Sequence, residues 1–529
     1  MRPSVWRPRI EPSPAEQVII GRVRRAKLFV FLREHRHVLF DEAFQAELGA
    51  VYGDVAQGQP PVPPAQLALA LIVQAYQGVS DDEVIEATVM DRRWQLVLDC
   101  LDAEHPPFSK GTLVGFRARL IAANLDRRLV ERTVEVAAST GGFGSRALRA
   151  ALDSSPLWGA GRVEDTLNLM GHALRKALGV IACQQGRGLT DLATIAAQAG
   201  APMVGASSLK AALDLDWDDP VARDRALGLV LAAVDAVDAF VAAQPGVDTA
   251  AVASVAVARQ VRDQDVDLAD GDAGAVPTLR RGVARDRRIS VEDAAMRHGR
   301  KSRSTLIDGY KRHVLTDLDS GLIPAVGVTP ANVPEASVTP QISDDLAAQH
   351  ARLAELHIDR AYLSSTLVRE RATDVAVYCK AWRVRNGPNS APRFAKTAFA
   401  LDFERGELTC PNQVVMAFRP GGTVHFPAQV CAVCPLREQC TTSQAGRSVT
   451  IHPDERLLAE LRERQLTPHG RAKLRERVAV EHTLAHVGQW QGRRARYVGV
   501  RKNLFDLRRV AVVHNLHVIA RQPANQRAA

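Results

Sequence analysis

Aromatic side chains are scarce in this chain, 5% of 529 residues, so its cores are expected to be aliphatic and rich in helix. Long apolar runs are missing too. A run such as Ala226 to Val234 reaches nine residues, whereas a membrane span needs about 20, so no membrane association is expected. The opening MRPSVWRPRIEPSP has no apolar stretch of the kind a secretory signal carries. A soluble, cytoplasmic protein is therefore expected. Cysteine is sparse, and four of the seven lie between 410 and 440. An oxidised secreted scaffold would spread its cysteines along the chain, so the clustering points to metal instead. The isolated Cys100, Cys183 and Cys379 read as small buried hydrophobes. With 46% hydrophobic and 24% charged residues the chain is ordinary globular material, which excludes a wholly disordered or fibrous protein. At about 150 residues per domain, its length suggests three or four units.

What the chain has is basic charge, and it is segregated. The formal net charge is +9. Residues 471–509 carry +8 and the first 36 residues +6, while residues 214–272 carry −9. The acidic stretch reads as a solvated face. Two basic ends around an acidic middle suit a polyanion such as DNA, whose phosphates release counterions to the basic ends.

The order of elements follows from breakers and periodicity. Residues 1–63 read as a basic arm with short helices, ending in QGQPPVPP. From Pro64 to about residue 140 the chain is helical, with Ser80-Asp81-Asp82-Glu83 as a capping box and Ser109 opening KGTLVGFRARLIAANL. Short helices with Lys110, Arg117 and Arg119 on the last suit a helix-turn-helix-like DNA reader; a plain helical bundle is the alternative. A strand at 148–156 ends in Asp153, and an Ala-rich helical insertion follows over about 165–290. YKRHVLTD and LIPAVGVT read as a hairpin across Leu318-Asp319-Ser320-Gly321. A helix at 343–354, the strand ELHIDRAY, a helix at 364–372 and a strand at 375–382 complete a mixed α/β order. That order matches a ribonuclease H-like core if the helical block is an insertion. The catalytic unit is expected to be 145–384 with 470–522, and 385–469 a second insertion.

Two strands end in aspartate, Asp153 and Asp359, where a carboxylate is costly unless it is hydrogen-bonded or holds a cation. Glu481 falls on one helical stripe with Leu474, Val478, Ala485 and Gly488, which points it toward the sheet. Three converging carboxylates suit a hard divalent cation such as Mg²⁺. Asp308 reads as structural, paired with Lys311, and Ser154 and Ser155 as turn residues. Arg300, Lys301 and Arg303 are candidates for phosphate contacts. Cys410, Cys431, Cys434 and Cys440 have the spacing C-x20-C-x2-C-x5-C, which suits a closed structural Zn²⁺ site. An iron–sulfur cluster and free thiols are the rivals, and His425 or His452 could replace one ligand.

The strings ALDSSPLWGAG, DGYKRHVLTDLDSGLIPAVGVTPAN, HIDRAYLSS and RERVAVEHTLAHVGQWQGRRARYVG resemble DDE transposases of bacterial insertion sequences, in the branch with a helical N-terminal domain and a late cysteine cluster. The resemblance runs from about Leu67 to Leu516. It implies a ribonuclease H-like catalytic domain with the triad Asp153, Asp359 and Glu481, divalent metal, terminal inverted-repeat and target DNA, and a homodimer in the synaptic complex at the nucleoid. The family often places Tyr, Arg, Glu and Lys along the Glu helix. Arg477 and Glu481 fit here, but the Tyr place is Leu474 and the Lys place Gly488, so Arg493, Arg494 or Arg496 would have to supply that phosphate contact. Ala361 stands where Gly commonly follows the second Asp-Arg. Two other functions compete with transposition. One is an inactive transposase-derived DNA-binding protein, and the other a general metal-dependent nuclease.

Overall fold

The computed structural model describes residues 2–54, 59–139, 147–267, 277–282, 284–301, 304–382 and 393–521. Its central sheet has six strands: β1 (Leu148–Trp158), β2 (Arg297–Arg300), β3 (Leu306–Asp317), β4 (Ala325–Pro330), β5 (Leu353–Ile358) and β6 (Ala376–Tyr378). β3 pairs antiparallel with β1 on one side and with β4 and β2 on the other. β5 and then β6 follow beyond β1, all three parallel. The result is a mixed α/β architecture compatible with a ribonuclease H-like core. The hairpin read from sequence sets Tyr310 opposite Pro330 and Leu315 opposite Ala325. Its turn closes through Gly321 at φ +76, a left-handed conformation that glycine adopts without strain.

Alternation along the strands supplies a core to each face. Ala150, Leu152, Leu315, Leu356 and Ile358 pack on one side against Ile342 and Leu346 of the helix Thr339–Ala348. That helix starts four residues earlier than the 343 expected, because Pro340 pre-sets its first turn. On the other face Leu157, Val314, Val326 and Val328 meet the last helix, Val500–Ala520, which is buried all round from Asn503 to Leu516. A helix so enclosed needs partners for the charged groups it carries. Arg508 pairs with Asp126 and Asp345, Arg509 with Asp506 and Gln74, and Asn515 bonds the Ile323 backbone and Thr133.

The N-terminal helices join this same core. Phe29, Phe40, Phe44 and Leu48 pack in one cluster with Leu67, Trp94, Phe116 and the last helix. The Ser80–Glu83 capping box forms, and the Ser109 hydroxyl accepts from Thr112 N–H at 3.2 Å to open the helix Lys110–Ala122. Between β1 and β2 the helices Thr166–Gln184, Pro220–Ala242 and Thr249–Asp265 build a core of their own. Short strands over 400–450 enclose a fourth small core beside the cysteine cluster. Among the described residues no helix is long and apolar enough to cross a membrane.

Candidate active site

The sheet itself brings the two aspartates together. β1 and β5 run parallel with Leu152 beside Ile358, so the next residue on each chain, Asp153 and Asp359, stands side by side with the other. The Asp359 side chain accepts from Ala361 N–H at 2.9 Å and so caps the turn Arg360–Tyr362. Asp153 accepts from its neighbour Ser154 N–H at 2.8 Å and from Arg477. The other guanidinium nitrogen of Arg477 donates to Glu481 at 2.9 Å. Arg477 thus ties the helical carboxylate to the strand carboxylate. Burial raises both aspartates, helped by the charge of Glu335, and carries Asp359 up to about 6. A pocket that resists ionising its own acids is one where a bound cation is strongly favoured. The residues therefore fit a hard divalent metal.

Several details differ from the expectation. The chain does not turn at Asp153, since β1 continues to Trp158. Ser154 and Ser155 are strand residues, one donating to Glu335 at 2.8 Å and the other accepting from Arg312 at 2.7 Å. The Leu474–Gly488 stripe does not face the sheet. The helix breaks at Arg477, between Pro468–Glu476 and Val478–Gln491, and the buried stripe is Val480, Thr483, Leu484 and Val487. Glu481 is 52% exposed on the opposite flank and joins the site through Arg477. Asp308 pairs with His298 at 2.6 Å, not with Lys311. At Gly488 a Cβ would stand 3.2 Å from the Arg312 guanidinium, which is buried, held by Ser155, Gln491 and Gly492, and lowered by burial to about 10. A lysine there would have to displace that guanidinium. Cys183 is exposed rather than buried.

The candidate DNA contacts divide by their partners. Arg117 is buried, bonds Asp81 through both amino groups and lies against Tyr497, so its guanidinium belongs to the packing. Lys110 stays on the surface beside Asp82, and Arg119 covers the Tyr52 ring at 4.7 Å. Arg300, Lys301 and Arg493 are exposed, and Arg303 lies outside the described residues. Arg494 bonds the carbonyls of Gly159 and Ala160, and Arg496 that of Val79. Sequence reasoning missed a groove of about 500 Å³ lined by Arg22, Arg24, Arg25, Arg92 and Arg93. The clustered arginines at 22–25 were the available signal, but the second wall is seventy residues away in sequence. It also missed Glu335, whose approach to the aspartates depends on the sheet.

Cys410, Cys431, Cys434 and Cys440 all line one cavity of about 30 Å³. Burial and the three neighbouring sulfurs push the Cys440 thiol up. Four thiols on one cavity are the donor set of a tetrahedral ion, although no three of their sulfurs gather within 4.8 Å of one another here. His425 bonds Ser448 at 2.9 Å and His452 accepts from Asp454 N–H at 3.0 Å, and neither histidine lines that cavity. A second group, Glu355, His357 and Glu476, offers ligand atoms within 4.8 Å of one another. Lys473 and Arg149 already bond its carboxylates. Although burial would raise Glu355, these bonds and the one from His357 hold it down to about 2. This is a neutralised ion-pair network.

Comparison with known families gives three matches. A family described as Transposase DDE domain matches residues 259–388, which include Glu335 and Asp359. A second Transposase DDE domain family matches 416–520, which include Glu481. A family described as Transposase domain (DUF772) matches 22–119, the helices that carry the arginine groove. Asp153 lies outside the matched segments. No curated protein and no solved structure gives a match. The three matches are typical of insertion-sequence transposases and bear out the resemblance found in the sequence.

Proposed function

We propose that the protein is an insertion-sequence DNA transposase that cuts and joins DNA with Asp153, Asp359 and Glu481. The observation that carries this reading is the side-by-side placement of Asp153 and Asp359 at neighbouring parallel strands, with Glu481 linked to Asp153 by Arg477. Within the transposase-like segments, we assign residues 145–384 with 470–522 to catalysis, 64–140 to DNA binding and 385–469 to a zinc-bearing insertion.

The three carboxylates supply hard oxygen ligands. Bound among them, Mg²⁺ or Mn²⁺ would supply the positive charge that activates an entering oxygen and stabilises a leaving one in an in-line displacement at phosphorus. Water is the entering group for cleavage, and a DNA 3′-hydroxyl for strand transfer. No protein nucleophile takes part: the nearest hydroxyl, Ser154, is committed to Glu335. Arg477 balances Asp153 and Glu481, and the same guanidinium can meet a phosphate when those oxygens are otherwise engaged. Basic side chains at Arg300, Lys301 and Arg493 would hold the backbone of inverted-repeat and target DNA, two copies of the chain acting on paired ends. The four cysteines would hold one structural Zn²⁺.

Asp153→Ala, Asp359→Ala and Glu481→Ala should each abolish Mg²⁺-dependent cleavage of end DNA and leave end binding largely intact. Normal cleavage by any one of them removes that residue from the triad. Cutting by the wild type without end preference or strand transfer would favour a general nuclease. No cutting at all would favour a DNA-binding descendant.

A further inference from the structure

A fourth carboxylate stands with the three already described. Glu335 opens the short turn Glu335–Val338, directly after β4 and before the helix Thr339–Ala348. Its side chain is only 19% exposed. The hydroxyl of Ser154, the residue next to Asp153, donates to it at 2.8 Å. Through that bond Glu335 stands one residue from Asp153, whose neighbour across the parallel strands is Asp359.

The cations present do not balance this group. Arg477 spans Asp153 and Glu481. Lys311 gives its hydrogen bond to the Val333 carbonyl at 3.0 Å and stands 3.9 Å from Glu335. Among the described residues no Lys or Arg hydrogen bond reaches Asp359 or Glu335. Four carboxylates that share two cations, Arg477 and Lys311, are held together at a cost, which a divalent ion removes.

The surroundings also hold Glu335 in one place. Tyr362 is buried within reach of Ser154, and its hydroxyl bonds His313 Nδ1 at 2.7 Å. His313 Nε2 meets Thr329 Oγ1 at 3.0 Å, and burial keeps this imidazole neutral, down to about 3. This buried column braces β1, β3 and β4 behind the serine that aims the carboxylate. Resting on the metal-dependent reading above, we propose that Glu335 is a fourth carboxylate of the divalent-cation site, a ligand group beside Asp153 and Asp359, with Ser154 as its positioning residue.

Mn²⁺ titrated into the full chain without DNA at pH 7.5, the free ion followed by its paramagnetic resonance signal, tests this. Glu335→Gln should weaken Mn²⁺ binding at least tenfold, as Asp153→Asn should, and Ser154→Ala should weaken it a few-fold. Circular dichroism and melting of the metal-free glutamine variant should match the wild type or improve on it. Wild-type affinity in Glu335→Gln, with affinity lost in Asp153→Asn, would overturn the role of Glu335 and leave the triad standing. Failure of the wild type itself to bind Mn²⁺ would remove the metal reading and this inference together. Glu335→Ala serves if the glutamine variant does not fold, with the same loss expected and the same overturning result.

Discussion

Asp359 shows how one side chain records both the fold and the chemistry. Burial, then the charges of Glu335 and Asp153, raise its carboxyl from an ordinary 3.8 to about 6. The folded protein therefore holds this proton more tightly than the unfolded chain does. Stability from this group is highest below pH 4, falls as pH rises through 4 to 6, and stays lower above. Asp359→Asn should remove that decline and stabilise the metal-free protein at pH 7.5 by about 1–3 kcal/mol. Denaturant titrations between pH 4 and 7.5 would show it. A variant that still loses stability with pH as the wild type does would place the cost elsewhere in the cluster. The same residue-scale view separates Arg117, which is consumed by Asp81 and Tyr497, from the surface arginines at 22–25. Both are arginines in a basic segment, and only their surroundings distinguish packing from availability.

At the scale of elements, the strands were the most legible part, because β1, β3, β4 and β5 alternate or run apolar between clear turns. The helix bearing Glu481 was the least legible. Its sequence is continuous and free of Pro and Gly near Arg477, so periodicity drew one helix through a break and rotated the predicted stripe onto the wrong flank. The cysteine insertion is a small element with few apolar contacts, its core resting on residues such as Phe399, Leu408, Phe426 and Ile451. So small a core leans on its metal. About one zinc per chain is expected in freshly purified protein. Its removal by chelator should loosen residues 400–450, seen as faster amide exchange there, while exchange in β1, β3 and β5 stays unchanged. Metal analysis finding neither zinc nor iron would refute the site, and Cys100→Ser should leave the metal content as it was.

For the whole molecule, the last helix joins what sequence reading had divided. Arg501 and Arg508 converge on the fully buried Asp126 from the N-terminal helices, and Arg508 also reaches Asp345 beside the sheet. The helical end and the sheet that carries Asp153 thus share one core. Arg22, Arg24, Arg25, Arg92 and Arg93 line one groove on the helical end. Neutralising Arg22, Arg24 and Arg25 should lower the slope of log affinity against log salt by about three if each meets a phosphate. It should weaken specific and scrambled DNA alike, because phosphates carry no sequence. An unchanged slope in a filter or anisotropy assay at several salt concentrations would exclude this groove from the DNA path.

Local pattern alone gives the chemistry available: two aspartates in strand-forming segments, a helical glutamate, four clustered cysteines and basic termini, together with the order of strands that carries them. These are local properties, written in alternation, breakers and spacing within a few tens of residues. Only the tertiary structure decided which groups meet. Glu335 joins Asp153 because β4 lies two strands from β1, across β3, and its following turn folds back over the strand ends. Arg312 fills the space beside Gly488 because β3 runs under that helix. The arginine groove exists because residues 22–25 and 92–93 are brought together by helix packing. Pairings of this kind span from about seventy to nearly two hundred residues of chain. They are fixed by the burial of apolar faces, and no local pattern records them.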